Sequence, residues 1–276
     1  MILVTGATGN AGGAVVRALV NSGEQVRALV RDADLASLPT GVEAVAGDLN
    51  DPQTLAGHLE GVTAAFLLSG YDGLEETLAN MRRAGVERVV LLSSSAAPAG
   101  DLTNAVARYH ILSEQAVRES GLGWTLLQPN TFMTNTFQWL PQLREGNVIR
   151  APFADVRVAT IDPEDIGAVA AVALTSGANE GRALRLSGPE ALSPADRVAI
   201  LGDVLGRTLS FEAQTNEEAR AEMDAAMPAE YVDAFFRFFV DGDLDESAVL
   251  PSVEEIAGRT PRSFEAWARA HADALR

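Results

Sequence analysis

The sequence predicts an α/β fold, a doubly wound parallel sheet with a smaller, mostly helical carboxyl-terminal lobe. Three observations predict it. Short apolar runs alternate with helix-length segments over the first 130 residues, the first run breaks at once into glycines spaced GxxGxxG, and after Gln128-Pro129-Asn130 the alternation loosens into mainly helical sequence. Short, mostly apolar strands separated by helices are what a parallel sheet covered on both faces requires.

The elements follow in order. Ile2 to Thr5 reads as a buried strand, and Gly6, Gly9 and Gly12 follow it before an amphipathic helix that carries Val15, Val16, Leu19 and Val20 on one side. Further strands are expected at Gln25 to Val30, Val42 to Ala46, Ala64 to Leu68, Val89 to Leu92 and Thr125 to Leu127. Thr131 to Leu143 is helix-like, Gly146-Asn147 marks a turn, and Val148 to Ala151 reads as a strand. Asp162 and Pro163 have the residue types of a helix cap and a first helical position, ahead of a strongly apolar helix. Arg182 to Leu186 is another strand, and the rest is mostly helical with a short strand near Leu209. The expected division is a core of residues 1–130, completed by about 158–187, and a lobe of 131–157 and 188–276.

Composition narrows the function. The 276 residues suffice for a full core, and 47% hydrophobic against 21% charged residues carries no disorder signal. The net charge of −17 repels nucleic acid and anionic membrane, so neither is an expected partner. There is no cysteine, which removes disulfides and thiolate metal sites; no ligand cluster suggests a metal, and no apolar run approaches a membrane span. With no charged leader before the first strand, a cytoplasmic location is expected. All 21 basic residues are arginine. Any mechanism that needs a lysine is therefore excluded.

The glycine spacing points to a dinucleotide. Such glycines permit a sharp turn, a close backbone approach to a pyrophosphate and tight packing of the following helix, whose free N–H groups face the phosphates. Gly6, Thr8, Gly9, Asn10, Ala11 and Gly12 form the expected phosphate loop. In a doubly wound sheet the ligand lies beyond the carboxyl ends of the strands, so the residues there are candidates: Arg31, Asp48 and Leu49, Leu68, Ser69 and Gly70, Ser93, and Gln128, Pro129 and Asn130. Arg31 suits a ribose 2′-phosphate and favours NADPH. Asp32 leaves NADH as the alternative, since it either bonds a ribose hydroxyl or caps the next helix.

Ser93, Ser94 and Ser95 follow the fifth strand, and Tyr109 lies on the next helix. Short-chain dehydrogenases place a serine and a YxxxK motif here, the lysine lowering the tyrosine's pKa. In Tyr109-His110-Ile111-Leu112-Ser113 a serine stands in the lysine's place. Tyr109 and His110 are thus candidate catalytic residues without the usual activation, and a packed or cofactor-contacting aromatic is the competing role for Tyr109.

TGATGNAGG, VRALVRD, GDLNDP, YHILSEQAVRESGLGWTLLQPNTFMTN and VEEIAGRTPRSFEAWARAHADAL together resemble the NmrA-like atypical short-chain dehydrogenases over essentially the whole chain. The resemblance implies either an NADPH-dependent reductase of the quinone or triphenylmethane-dye type, or a redox sensor that binds the dinucleotide without turning it over. The family commonly has arginine before the proline of the WTLLQP segment, where this chain has Gln128, which puts in doubt any role borrowed from that arginine. Glu114, one helical turn from His110, is placed to orient it. The reductase reading implies hydride transfer to a small conjugated, largely apolar acceptor, because aromatisation of a quinone product reduces the need for acid assistance. Phe132, Met133 and Phe137 would line its pocket, and the run Tyr231, Phe235, Phe236, Phe238 and Phe239 would either close it, pack a core or form a homodimer surface.

Overall fold

The computed structural model describes residues 1–33 and 37–276. Its main sheet is built from β1 (Ile2–Val4), β2 (Val26–Val30), β3 (Glu43–Ala46), β4 (Ala64–Leu68), β5 (Arg88–Leu92) and β6 (Gly123–Pro129), with α1 (Asn10–Asn21), α2 (Pro52–Ala56), α3 (Leu74–Arg83) and α4 (Ala105–Glu119) in the connections. The chain continues through a 3₁₀ turn at Met133–Trp139 to α5 (Leu140–Glu145), β7 (Val148–Ala151), α6 (Pro163–Thr175), β8 (Arg182–Leu186), α7 (Pro194–Leu205) and β9 (Ser210–Ala213). It ends in α8 (Asn216–Ala226), α9 (Ala229–Phe239), α10 (Ser252–Ala257), α11 (Phe264–Ala270) and α12 (Ala272–Leu275).

The seven strands run in the order β3-β2-β1-β4-β5-β6-β8, every pairing parallel. The order reverses between β1 and β4, so a crevice opens beyond their carboxyl ends. The two-residue period of the strands feeds two apolar layers. Ile2, Val4, Ala64, Phe66, Val90 and Leu127 face the layer under α1 and α6, while Leu3, Ala65, Leu67, Val89, Leu91 and Leu126 face the layer under α2 and α3. A separate cluster of Met133, Trp139, Leu143, Ile149, Val198, Leu201, Phe264 and Trp267 joins α5, α7, α11 and the parallel pair β7–β9.

Glycine sets how close the helices come. A Cβ on Gly12 would lie 2.2 Å from the Gly6 carbonyl oxygen and 2.8 Å from that of Thr5, so only glycine lets α1 seat against the end of β1. Asp162 caps α6 by accepting the Glu164 N–H at 2.9 Å, and Pro163 occupies the first turn, as its sequence suggests.

Two expectations differ from the structure. β6 extends to Gly123 and Pro129 beyond the expected Thr125 to Leu127, because β5 and β8 supply partners along its whole length. The continuous helix expected over Thr131 to Leu143 is instead the 3₁₀ turn followed by α5. Pro141 in the first turn of α5 has no N–H to extend a preceding α-helix, so the helix restarts there. The helix that Asp32 was expected to cap would run into residues 34–36, which lie outside the described residues.

Candidate active site

The phosphate loop has the geometry its sequence implies. Gly6 takes φ +60°, where a Cβ would meet the Leu68 side chain at 2.5 Å, and the Gly9 N–H donates to the Gly6 carbonyl at 2.9 Å to close the turn. Gly9 is the N-cap of α1, makes no side-chain cap, and no acidic residue occupies the first turn. The helix therefore presents N–H groups and its positive end to the crevice. Thr8, Gly9 and Asn10 are exposed there, while Ala11 and Gly12 are buried beneath. A pyrophosphate fits this arrangement: the donors are uncapped and no carboxylate in the turn opposes it.

The adjacent strand ends are less uniform. Arg31 and Asp32 are exposed at the end of β2, and Arg31 forms no ion pair among the described residues. Asp48 turns one carboxylate oxygen back on the Asn50 N–H at 2.9 Å, and Leu49 is half-buried behind it. Leu68, half-buried, lies under Gly6, and Ser69 spends its hydroxyl on the Leu92 carbonyl at 2.7 Å, which ties β4 to β5.

Around α4 the structure assembles a polar knot. Ser113, in the position a lysine would take, accepts the Gly70 N–H at 3.1 Å and donates to the Tyr109 carbonyl at 2.7 Å. Its hydroxyl holds backbone and does not reach the Tyr109 phenol. Tyr109 packs its ring against Gly70, where a Cβ would lie 3.0 Å from it, and against His110, with ring centroids 4.1 Å apart. Burial, with a smaller contribution from Tyr231, holds the Tyr109 phenol above its ordinary range, and burial lowers His110 to about 4. At neutral pH both are uncharged.

Glu114 does not orient His110, contrary to the one-turn spacing on the helix. Its Oε1 accepts the Ser93 hydroxyl at 2.6 Å and the Gln128 amide at 2.8 Å, and its Oε2 pairs with Arg118 at 3.1 Å. The side chain turns inward to buried donors at the ends of β5 and β6, and His110 Nδ1 is left buried without a partner. A second carboxylate arrives from far along the chain. Glu246, 4% exposed, accepts from Ser95 Oγ at 2.6 Å, Thr131 N at 2.9 Å and Thr131 Oγ1 at 2.6 Å. Its backbone carbonyl takes the Asn130 side-chain amide at 3.0 Å, and Pro129 accepts the Ser95 N–H. Burial pushes the Glu246 carboxyl above the usual range. Asp245 and Glu246 stand in an acidic segment of an acidic chain, so no local signal distinguishes the buried one from solvated neighbours.

Beyond Asn130 lies a cavity of about 660 Å³. Its wall includes Thr131, Thr134, Asn135, Gln138 and Trp139 from the turn after β6, with Phe153, Met223, Met227, Phe235 and Phe239 opposite. The expected lining of Phe132, Met133 and Phe137 is a correction. Met133 is fully buried in the cluster of α7 and α11, Phe137 packs on Trp267 and His271, and Phe132 packs against the layer under α6. The 3₁₀ turn puts Thr134, Asn135, Gln138 and Trp139 on the cavity and turns Met133 and Phe137 to the cluster of α7 and α11. Of the aromatic run, Phe235 and Phe239 line the cavity while Phe236 and Phe238 are buried. Phe153, at φ +57°, packs its ring on Phe236 and Phe239. Among the described residues there is no cluster of three His, Cys, Asp or Glu suited to a metal, and no helix long and apolar enough to cross a membrane.

Comparison with known proteins agrees with this architecture. The model of the NmrA-like family matches residues 1–267. The chain is 40% identical to a (4-alkanoyl-5-oxo-2,5-dihydrofuran-3-yl)methyl phosphate reductase of Streptomyces griseus, covering 100% of this chain and 99% of that protein. It is 36% identical to an NAD(P)H azoreductase of Xenophilus azovorans, covering 100% and 99%. In fold it resembles an NADPH-dependent quinone oxidoreductase of Escherichia coli solved with NADPH, with TM-score 0.80, 23% identity and 99% and 100% coverage. A Citrobacter triphenylmethane reductase complexed with NADP(H) is similar at TM-score 0.80 and 24% identity, covering 98% and 100%.

Proposed function

Since the chain belongs to the NmrA-like family, we propose that it is an NADPH-dependent reductase that passes hydride to a small conjugated, largely apolar acceptor such as a quinone. The observation that carries the reading is the uncapped, glycine-lined start of α1 at the sheet's switch point, with a cavity beginning at Thr131, one residue past the candidate cofactor contact Asn130. The whole-length relatives named as reductases support it.

NADPH, when bound, supplies the hydride at its nicotinamide ring. The residues that would hold it are the Gly6–Gly12 loop at the pyrophosphate, Arg31 at the 2′-phosphate, and the ends of β3 to β6 along the rest, including Asp48, Leu49, Ser69, Gly70 and Pro129. NADH is the weaker ligand in this reading, because Arg31 would have no phosphate to pair with. Glu114 and Glu246 act by position: they lock the ends of β5 and β6, which form the floor on which the reacting ring would rest. A preset floor aligns hydride donor and acceptor and so lowers the entropic barrier.

The proton chemistry departs from lysine-assisted catalysis. Tyr109 stays protonated at neutral pH and His110 stays neutral, and neither has a cationic neighbour to activate it. A quinone suits such a site, because the reduced product is stabilised by aromatisation and takes its proton from water. The test is NADPH oxidation against a panel of quinones, enones and cationic dyes. Turnover with at least one class is expected. Tight NADPH binding without turnover of any acceptor would overturn the reductase reading in favour of a dinucleotide sensor.

A further inference from the structure

Arg197, in the first turns of α7, lines the cavity beyond Thr131 and is the one charged lining residue there whose side chain has neither an ion pair nor a hydrogen bond among the described residues. The other two are engaged. Arg150 pairs with Glu218 at 3.0 Å and lies 3.7 Å from Glu212, and Glu222 accepts the Gln214 amide at 2.7 Å. The carboxylate next to Arg197 in sequence is also committed, since Asp196 accepts from Ser193 in a capping box and pairs with Arg157 at 3.0 Å. Arg197 keeps only a stack of its guanidinium on the Trp139 ring, 5.1 Å from the centroid, and its Nε is buried without a hydrogen-bond partner. Thr134 and Thr160 line the same cavity, and their hydroxyls are likewise buried without partners.

A half-buried guanidinium without a counter-ion is unfavourable, because the cation has lost part of its water and gained no anion. Stacking on Trp139 fixes its plane and leaves its N–H edge free, the geometry that binds a carboxylate or phosphate through two parallel hydrogen bonds. Burial lowers Arg197 to about 10, so it remains cationic at neutral pH. On the opposite wall Phe153, Phe235, Phe239, Met223 and Met227 offer an aromatic and thioether surface suited to a conjugated ring system.

We infer that the cavity is an acceptor subsite for a conjugated molecule carrying an oxyanion, a phosphate or a carboxylate, and that Arg197 anchors the oxyanion with Thr134 and Thr160 available as further donors. As an acceptor subsite it rests on the reductase reading; as an anion site it stands on the cavity alone. The anchor would hold one end of the acceptor in the cavity and leave its conjugated end toward the strand termini. Substrate selection would then follow charge as well as shape, since a site built around an unpaired cation discriminates strongly against ligands that leave it unpaired.

The test is calorimetric titration of the NADPH-loaded protein with 2-naphthyl phosphate, 2-naphthoate and 2-naphthol, which share a ring system and differ in charge. At least one anion is expected to bind tenfold or more tighter than 2-naphthol, and the ranking of the two tells which oxyanion the site prefers. In Arg197→Met that advantage should fall to within about twofold, and in Arg197→Lys it should partly return. A wild type without preference for either anion, or an Arg197→Met variant that melts like the wild type and keeps the preference, would overturn the inference. The measurement needs no turnover. Anion preference in a protein that fails to oxidise NADPH with every acceptor tested would refute the reductase reading while leaving the anion site standing.

Discussion

Gln128 donates its side-chain amide to Glu114 Oε1 at 2.8 Å, the oxygen that also accepts the Ser93 hydroxyl at 2.6 Å. One buried carboxylate thereby joins the ends of β5 and β6 to the middle of α4. Gln128 is a neutral amide, and the cationic partner of the carboxylate is Arg118, one helical turn along and half-exposed, at 3.1 Å. Arg118 is itself stacked on Trp124, 4.7 Å from the ring centroid.

Removing the carboxylate leaves two buried donors and a cation without their acceptor. Glu114→Ala should therefore lose about 3 kcal/mol of stability, and Glu114→Gln less, because the amide oxygen can still accept one of the bonds. Urea unfolding checks this. Wild-type stability in Glu114→Ala would mean that other contacts hold the strand ends.

Tyr109 has no lysine, its phenol is held above the ordinary range by burial, and its ring packs on Gly70 and His110. Tyr109→Phe should keep kcat within about threefold of the wild type and leave the pH profile of turnover unchanged. A loss of about a hundredfold, the low end of acid–base catalysis, would instead assign the phenol as the proton donor.

His110 links stability to pH. Burial lowers its pKa from 6.5 to about 4 in the folded chain, so between those values the unfolded chain binds more protons and folding stability rises with pH. This contribution is complete above pH 6.5 and lost as pH falls toward 4, with a ceiling of about 3 kcal/mol. His110→Phe should flatten the stability difference between pH 4 and pH 7 by a measurable part of that amount in urea titrations. An unchanged difference would show that His110 is hydrated in solution.

Arg31 stands exposed at the end of β2, without an ion pair among the described residues. If it receives the 2′-phosphate, Arg31→Ala should raise the Kd for NADPH at least tenfold and that for NADH less than twofold, read by fluorescence titration. Equal losses for both would remove it from cofactor selection.

Much of the molecule was legible from local pattern. The strand runs, the glycine loop and the Asp162–Pro163 helix start each express a constraint between neighbours in sequence: a period of two, a turn at positive φ, an orphan N–H needing a cap. Gly12 belongs with them, since the close approach it permits is to residues six and seven positions back. The site was less legible. Glu246 reaches Thr131 across 115 positions, and Arg197 meets Trp139 across 58, and neither residue type is unusual where it stands.

The sequence by itself determined a doubly wound parallel sheet, a glycine turn after its first strand, and the exclusion of lysine-dependent chemistry, because these follow from residue types and from spacings shorter than one element. Only the tertiary structure decided that Glu114 serves Ser93 and Gln128 and not His110, that Phe132, Met133 and Phe137 pack on core clusters and not on the cavity wall, and that Arg197 faces the cavity without a charged partner. The physical reason is common to all three. A side chain's partner is set by which buried donors and acceptors the packed elements bring within about 3 Å, and that depends on how whole elements dock.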